Sequence, residues 1–411
     1  MFNKILILII AIGMILSTGS VYFTLYGRDF FPVITIFLMS FLVFWRFIIG
    51  KDRRIISQYG FIGILLIIMV PFLIDFLNFV KSFQITFFYS LVVLLSFLIG
   101  KDNREKILKA YFSIMVVISA VSLIYFVINL YFWQSGGVAN FISPLYKREA
   151  GSILVYPMWS VYDLKSWHFP RNMSIFYEPG AFAFHLIICI MLSFKYNKIK
   201  LLIIFIAAAL TTFSTTMYLS LFFIFLYAVF YRGFRIMKPK YVVMVLILFV
   251  TIFSRLQSEG QNWNFLNMVR MATIEKFNPS SSSYNSMSGR MSYSYASLDM
   301  YLNSIILGNG HYSTHYKLDF SEMEGDATTT SSLFGLPAEL GFFGIFCIFL
   351  YVRFFKSFKL FAVPITFLFL NGEFMAYTIL MIFILAHQGE IFFFNILHHN
   401  RLRRTSANIY I

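Results

Sequence analysis

The chain has 411 residues, of which 59% are hydrophobic and only 12% are charged. This composition argues against a set of soluble domains and predicts a polytopic membrane protein. The formal net charge of +15 would suggest nucleic acid as the partner of a soluble protein. Here the basic residues lie mostly in short loops between apolar segments, so they indicate topology, and we expect no nucleic-acid partner. Cys189 and Cys347 lie far from zinc spacing, and we expect neither a metal site nor a disulfide.

Apolar runs of roughly 17–25 residues predict an all-α fold with about 12 transmembrane helices, that is 11–12, because such runs can cross the hydrocarbon core. Polar residues interrupt one long run at Thr211–Thr216, which we interpret as a tight reversal between two helices. The predicted spans are Ile5–Leu25, Phe30–Ile49, Tyr59–Phe79, Gln84–Ile99, Ile107–Phe132, Ser174–Phe194, the two halves of Ile199–Tyr231, Tyr241–Phe253, Ser332–Val352, Leu360–Leu370 and Phe374–Leu397.

Two long polar segments divide the chain into five regions. An N-terminal five-helix membrane region, 1–132, precedes the first large loop, 133–173. Central membrane helices, 174–253, precede the second large loop, 254–331, and the C-terminal helices and tail occupy 332–411. The second loop contains a serine-rich segment, Asn278–Gly289, which we expect to be a flexible hinge.

The distribution of Lys and Arg predicts the orientation in the membrane. One set of alternate loops holds 22 of the 33 basic residues, at 46–54, 101–109, 195–200, 232–240, 353–359 and the two chain ends. Positive charge in short loops marks the cytoplasmic side. We therefore expect both termini in the cytoplasm and both large loops outside, which means the periplasmic face of the inner membrane in a Gram-negative cell.

The stretch RNMSIFYEPG, Arg171 to Gly180, brings charge to the boundary between the first large loop and a span. Charged groups at membrane depth are expensive and are usually kept for function. Arg171 can hold a phosphate in two bonds, and Glu178 can accept a proton from a sugar hydroxyl. The alternative is an ion pair between Arg171 and Glu178 that only fixes the loop.

Other candidates lie in the two large loops. Arg255, Arg270 and Arg290 could join Arg171 around a pyrophosphate, or could pair with loop carboxylates. His311 could act as a general base, His315 could contact the substrate, and Gly310 would let the backbone approach a ligand. Aromatic side chains of the first loop fit stacking on sugar rings or an interfacial belt equally well; they are Trp133, Tyr146, Tyr156, Trp159, Tyr162 and Trp167.

Four motifs in order resemble the O-antigen polymerases of the O-antigen ligase and polymerase superfamily. They are the loop ending in Glu-Pro-Gly, the threonine-rich break LTTFSTTMYLSL, the Gly-Arg segment SGRMSYSYASLDMYLNSIILGNGH and the span SSLFGLPAELGFFGIFCIFL. Together they cover about residues 171–350. Ligases of this superfamily tend to carry a His-Asn pair before the last motif, where this chain has Ala327 to Thr330. That departure favours a polymerase.

The resemblance implies a helical membrane glycosyltransferase that uses no cofactor. Its substrates would be undecaprenyl-pyrophosphate-linked oligosaccharide repeat units in the lipid bilayer, and its partner a regulator of chain length. Arg171 and Arg290 match loop arginines of that family and would stabilise the departing pyrophosphate, while His311 or Glu178 would take the proton of the acceptor. An O-antigen ligase, or a flippase that forms no bond, remains an alternative.

Overall fold

The computed structural model describes residues 2–18, 20, 22, 30–49, 58–77, 83–133, 144, 146–148, 153–156, 159–162, 171–232, 284–310, 332–372 and 378–392. Its N-terminal part is a series of five apolar helices. They are α1 (Phe2–Leu16), α2 (Phe30–Ile49), α3 (Gln58–Leu77), α4 (Phe83–Leu98) and α5 (Lys101–Trp133). Four of them match the predicted spans closely, whereas α1 ends well before the predicted Leu25.

A three-stranded antiparallel sheet follows in the first large loop, in a chain predicted to be all-α. Its strands are β1 (Tyr146–Arg148), β2 (Ile153–Tyr156) and β3 (Trp159–Tyr162). Tyr156 faces Trp159 across the tight β2–β3 connection. The prediction missed these strands because they are only three or four residues long and lie among polar residues.

The second half of the chain returns to helices. They are α6 (Pro179–Lys195), α7 (Ile199–Thr211), α8 (Thr215–Tyr227), α9 (Tyr284–Asn303), α10 (Ser332–Phe354), α11 (Ala362–Gly372) and α12 (Ile379–Phe392). A π-helical turn, Ala228–Arg232, continues α8, and a 3₁₀ turn, Lys356–Phe361, precedes α11. The predicted ninth span, 241–253, lies outside the described residues.

The expected flexible hinge at 278–289 is wrong in part. Helix α9 begins at Tyr284, so the second half of that segment is helical, and its first half lies outside the described residues. Serine and asparagine are only moderately unfavourable in helices, and packing of α9 against α10 stabilises it more than composition alone would suggest.

In the described part of the chain, two helices are long and apolar enough to cross a membrane, Lys101–Tyr131 and Ser332–Phe354. Eight shorter apolar helices accompany them. Helices of 13 residues such as α7 and α8 extend about 20 Å, less than a hydrocarbon core of about 30 Å. These apolar helices support a membrane protein, and the number of spans stays a prediction.

Helix α6 lies at the centre of the bundle. It packs against α5, α7, α8 and α11, and all but two of its 17 residues are buried. A helix that is apolar on every side belongs in such a position, because it has no face for a polar solvent. Phe184 of α6 stacks on Phe369 of α11 at 4.6 Å between ring centroids.

One end of this bundle is closed by a polar network, which we call the Glu105 end. Lys195 Nζ donates to Glu105 Oε1 at 2.6 Å, and Tyr196 Oη donates to Glu105 Oε2 at 3.2 Å. Arg104, which is fully buried, forms an ion pair with Glu390 of α12. The start of α5 and the ends of α6 and α12 therefore meet, as expected if the loops at 101–109 and 195–200 share one side.

Arginines also complete the end of α4 at this side. Arg104 Nη1 donates to the carbonyl oxygen of Ser96 at 2.6 Å, and Arg46 Nη1 donates to that of Leu98 at 2.9 Å. The last carbonyls of a helix lack intrahelical partners, and a cation there also complements the helix dipole.

Asp75, near the end of α3, is a buried carboxylate that is only 2% exposed. Thr86 of α4 donates a hydrogen bond to its Oδ2. A buried carboxylate is costly unless it accepts a hydrogen bond. This hydrogen bond also joins α3 to α4.

Candidate functional site

Arg171 is bound to the break between α7 and α8. Its Nε donates to the carbonyl oxygen of Thr212 at 3.2 Å, and its Nη2 donates to that of Phe213 at 2.8 Å. These carbonyls follow the last residue of α7, where backbone acceptors have no helical partner. The guanidinium thus caps a helix end while remaining half-buried. We call this region, opposite the Glu105 end, the Arg171 end.

The threonine-rich motif explains why the helix breaks there. The hydroxyls of Thr211 and Thr212 donate to the carbonyls of Ala208 and Ala209, which competes with continuation of the helix. Phe213 then adopts the left-handed conformation, with φ of 49°. Ser214 is extended and begins α8. The predicted interruption at Thr211–Thr216 is confirmed.

Asn172, which the sequence analysis did not single out, ties the same loop to two helices. It is buried, and its Nδ2 donates to Thr211 Oγ1 at 2.8 Å and to Ser122 Oγ of α5 at 3.1 Å. Its backbone N–H donates to the carbonyl oxygen of Thr211 at 2.9 Å. The sequence did contain an indication of this role, because Asn172 is a polar amide directly after the candidate Arg171 in a largely apolar chain.

The small sheet rests on the segment that follows Arg171. The Ser160 hydroxyl of β3 lies 2.8 and 2.7 Å from the carbonyl oxygens of Ser174 and Phe176. Trp159 stacks between Tyr125 of α5 and Tyr156 of β2, with ring centroids 5.1 and 4.9 Å away. Tyr156 and Trp159 are both 3% exposed. They form a structural cluster, so neither offers an open face to a sugar ring.

Glu178 stands at the start of α6. The helix begins at Pro179, five residues after the predicted start of this span at Ser174, and Glu178 is the residue that precedes it. Its carboxylate is half-buried and makes no capping hydrogen bond. Among the described residues, no ion pair joins it to Arg171, which binds the Thr212 and Phe213 carbonyls. The structural alternative considered for this pair is therefore wrong. A carboxylate beside a helix N-terminus is favourably placed for its negative charge.

His185 lies deeper on α6, seven residues after Glu178, and was also missed. It is fully buried. Tyr111 Oη donates to its Nδ1 at 2.8 Å, and its Nε2 donates to the carbonyl oxygen of Thr18 at 3.0 Å. Both ring nitrogens are satisfied by the protein. His185 therefore holds α1, α5 and α6 together.

A second helix break lies in α10, and the turn that contains Gly310 is hydrogen-bonded to it. Gly341 has φ of 57° and interrupts α10 four residues after Pro337. The backbone N–H groups of Asn309 and Gly310 donate to the carbonyl oxygen of Glu339 at 3.0 and 2.8 Å. The Asn309 side chain donates to the carbonyl oxygens of Ala338 and Met300 at 2.9 and 3.1 Å. Acceptors freed by the broken helix are thus satisfied.

Glycine is needed on both sides of this contact. A Cβ at Gly308 would lie 2.4 Å from the carbonyl oxygen of Glu339, and a Cβ at Gly341 would lie 2.4 Å from that of Ile306. In the structure, Gly308 lets the backbone approach α10, and Gly310 donates to the same break. The expected contact of Gly310 with a ligand stays a prediction.

The remaining candidates lie wholly or partly outside the described residues. The backbone of Arg290 belongs to α9, and its side chain lies outside the described part of the chain. Wholly outside it are Trp167, Arg255, Arg270, His311 and His315. Of the candidates, the described residues place Arg171 at the α7–α8 break, Glu178 directly before α6 and Gly310 against the break in α10.

The geometry at the Arg171 end combines two chemical functions. A half-buried guanidinium, held by two carbonyls, offers a positive charge that no pH change in a cell removes. The half-buried carboxylate of Glu178 lies at the N-terminus of α6. Such a pair can bind a phosphate group and accept a proton from a hydroxyl.

Both helix breaks lie in a segment that matches a known protein family. A family model described as O-antigen ligase matches residues 201–349, which include the α7–α8 break, the glycine turn and most of α10. No curated protein and no solved structure matches the chain significantly. The matched segment, about a third of the chain, supports a place in the superfamily of O-antigen ligases and polymerases, which are membrane glycosyltransferase-like enzymes of glycan assembly.

Proposed function

We propose that this chain is an O-antigen polymerase. It would transfer a growing glycan from undecaprenyl pyrophosphate to the non-reducing end of a lipid-linked repeat unit at the periplasmic face of the inner membrane. The observation that carries the proposal is the hydrogen-bonded contact of Arg171 with the α7–α8 break, at the same end as the half-buried Glu178. The break lies inside the segment that matches the family.

In the proposed reaction, the acceptor hydroxyl attacks the anomeric carbon of the donor glycan. The bond from that carbon to the pyrophosphate oxygen breaks, and undecaprenyl pyrophosphate leaves with the electron pair. Arg171 stabilises the charge that develops on the leaving group. Glu178 takes the acceptor proton, a role for which His311 is the alternative. Arg290 would add a second cation.

Twelve spans, cytoplasmic termini and periplasmic large loops belong to the same proposal. So do the bilayer that holds the lipid tails, and a chain-length regulator as partner. The meeting of Lys195 with the start of α5 supports the arrangement, because it joins two of the loops assigned to the cytoplasm. The family description leaves a ligase as the second candidate, with lipid A-core as the acceptor.

A lipopolysaccharide gel from a strain that lacks the gene tests the proposal. A polymerase predicts that the ladder collapses to core plus one repeat unit, since export and ligation still work. Core alone, with long polymer left on its lipid carrier, would make the chain a ligase. Core alone without external polymer would make it a flippase, and an unchanged ladder would contradict all three readings for this polysaccharide.

A further inference from the structure

Helix α9 carries an apolar stripe that no other described element covers. Met291, Tyr295, Leu298 and Leu302 are between 40% and 66% exposed. At 100° per residue, these four positions fall within an arc of about 60°. The stripe continues into Ile306, which is 76% exposed. Soluble proteins rarely expose such a row of large apolar side chains.

The opposite face of α9 is buried. Tyr293 and Ser297 are fully buried, and α9 packs against α10. The apolar stripe is therefore not the surface by which α9 joins the protein, and it needs another partner.

The contact between α9 and α10 indicates where the partner of the apolar stripe lies. The turn after α9 binds α10 at Glu339 and Gly341, and α10 is a candidate membrane span beginning at Ser332. Gly341 lies nine residues past that start, a distance of about 14 Å along an unbroken helix, so the contact lies within the apolar segment and not beyond its outer end. The C-terminal end of α9 is therefore held against a candidate span, at a level that lipid can reach.

The apolar surface of α10 meets that of α9 at this point. Phe342 donates its backbone N–H to the carbonyl oxygen of Ile306 at 3.3 Å, and the Phe342 side chain is 68% exposed. Ile345 and Phe349 continue the exposed row along α10, on the face that a span presents to lipid. The stripe of α9 adjoins this lipid-facing row.

We propose that α9 lies in the membrane interface, with its stripe covered by lipid acyl chains, although it belongs to the second large loop. Its polar residues fit an interfacial helix better than a span, because Asp299 and Asn303 are exposed beside the stripe and can reach the head groups. This inference depends on the membrane class of the protein and not on which reaction it catalyses.

Cysteine labelling of the full-length protein in native membranes tests the position of α9. Leu298→Cys, Leu302→Cys and Ile306→Cys probe the stripe, while Asp299→Cys and Asn303→Cys are matched controls on the neighbouring face. The native cysteines are buried, so the wild-type protein gives the background. Because only the thiolate reacts and it forms in water, a water-soluble maleimide should label the stripe about tenfold more slowly than the controls.

Spin labels at the same five positions give an independent readout in reconstituted vesicles. The stripe should be more accessible to oxygen than to a water-soluble nickel complex, and the two controls should show the reverse. Equal labelling rates and equal accessibility at all five positions would place α9 in water and overturn the proposal. Disulfide crosslinking of Leu302→Cys between two copies would also overturn it, because a second chain would then cover the stripe.

Discussion

At the scale of single residues, Arg171 has two roles that can be separated. It caps the break after α7 and, in the proposed reaction, stabilises the pyrophosphate. We predict that Arg171→Ala abolishes polymer in a complementation assay. The loss of hydrogen bonds from a charged donor should also reduce stability by about 1.5–3 kcal/mol. Arg171→Lys should restore little activity, since an ammonium cannot reproduce two fixed bonds.

Arg46 is the matched control for this prediction. It also donates to a helix-end carbonyl, that of Leu98, but at the opposite end of the bundle. Arg46→Ala should lower the melting temperature to a similar extent and leave the polymer ladder intact. If both variants kept the ladder, Arg171 would have no part in the chemistry.

Asn172 is predicted to position Arg171 without touching the substrate. Asn172→Ala leaves the hydroxyls of Ser122 and Thr211 without this buried donor and should cost about 1–3 kcal/mol. Polymer should become scarcer, while the wild-type pattern of chain lengths is kept. A variant as stable as the wild type in a detergent melt would contradict this assignment.

At the scale of elements, the contact between α9 and α10 depends on two glycines. Gly308→Ala or Gly341→Ala would place a methyl group against backbone atoms, at positions where φ is positive. Backbone cannot move aside as a side chain does, so we expect protein that inserts poorly or is degraded. Gly389→Ala is the control, because its Cβ would press on the end of the Ile67 side chain and otherwise meet Leu350 at an ordinary contact distance of 3.8 Å. Membrane protein yield and melting temperature measure the difference.

The ion pairs of the Glu105 end should differ in strength. Arg104 is fully buried, and Glu390→Gln would remove the carboxylate that forms an ion pair with it, at a cost of about 3–5 kcal/mol. Lys195, by contrast, is partly exposed, so Lys195→Ala should cost only about 0–1 kcal/mol. Thermal unfolding in detergent compares the two variants. If both variants lost the same stability, burial would not determine how much each ion pair contributes.

Prediction from sequence succeeded where the pattern of residues reflects the structure of one helix alone. Apolar runs located the helices, and the threonine-rich motif located the end of α7, whereas α6 begins at Pro179 and not at the predicted Ser174. It failed where distant elements meet. The partners of Arg171, Asn172 and His185 lie 39 to 167 residues away along the chain, and no local pattern indicates them. The burial of Trp159 against Tyr125 of α5 is another such long-range contact.

At the scale of the whole molecule, the ends of the bundle are chemically different. The Glu105 end gathers Arg46, Arg104 and Lys195, whereas the Arg171 end combines a helix break, a buried loop and a carboxylate. This difference agrees with a cytoplasmic Glu105 end and a reaction on the other side. The lipid-linked substrates would then approach the Arg171 end within the bilayer.

Polymerisation itself can be measured with the purified protein. Repeat units on undecaprenyl pyrophosphate, extracted from the strain that lacks the gene, are incubated with the protein in liposomes without lipid A-core. We predict a ladder of lipid-linked oligomers, which Arg171→Ala abolishes and Arg46→Ala retains. A product that forms only after lipid A-core is added would contradict polymerisation and identify a ligase.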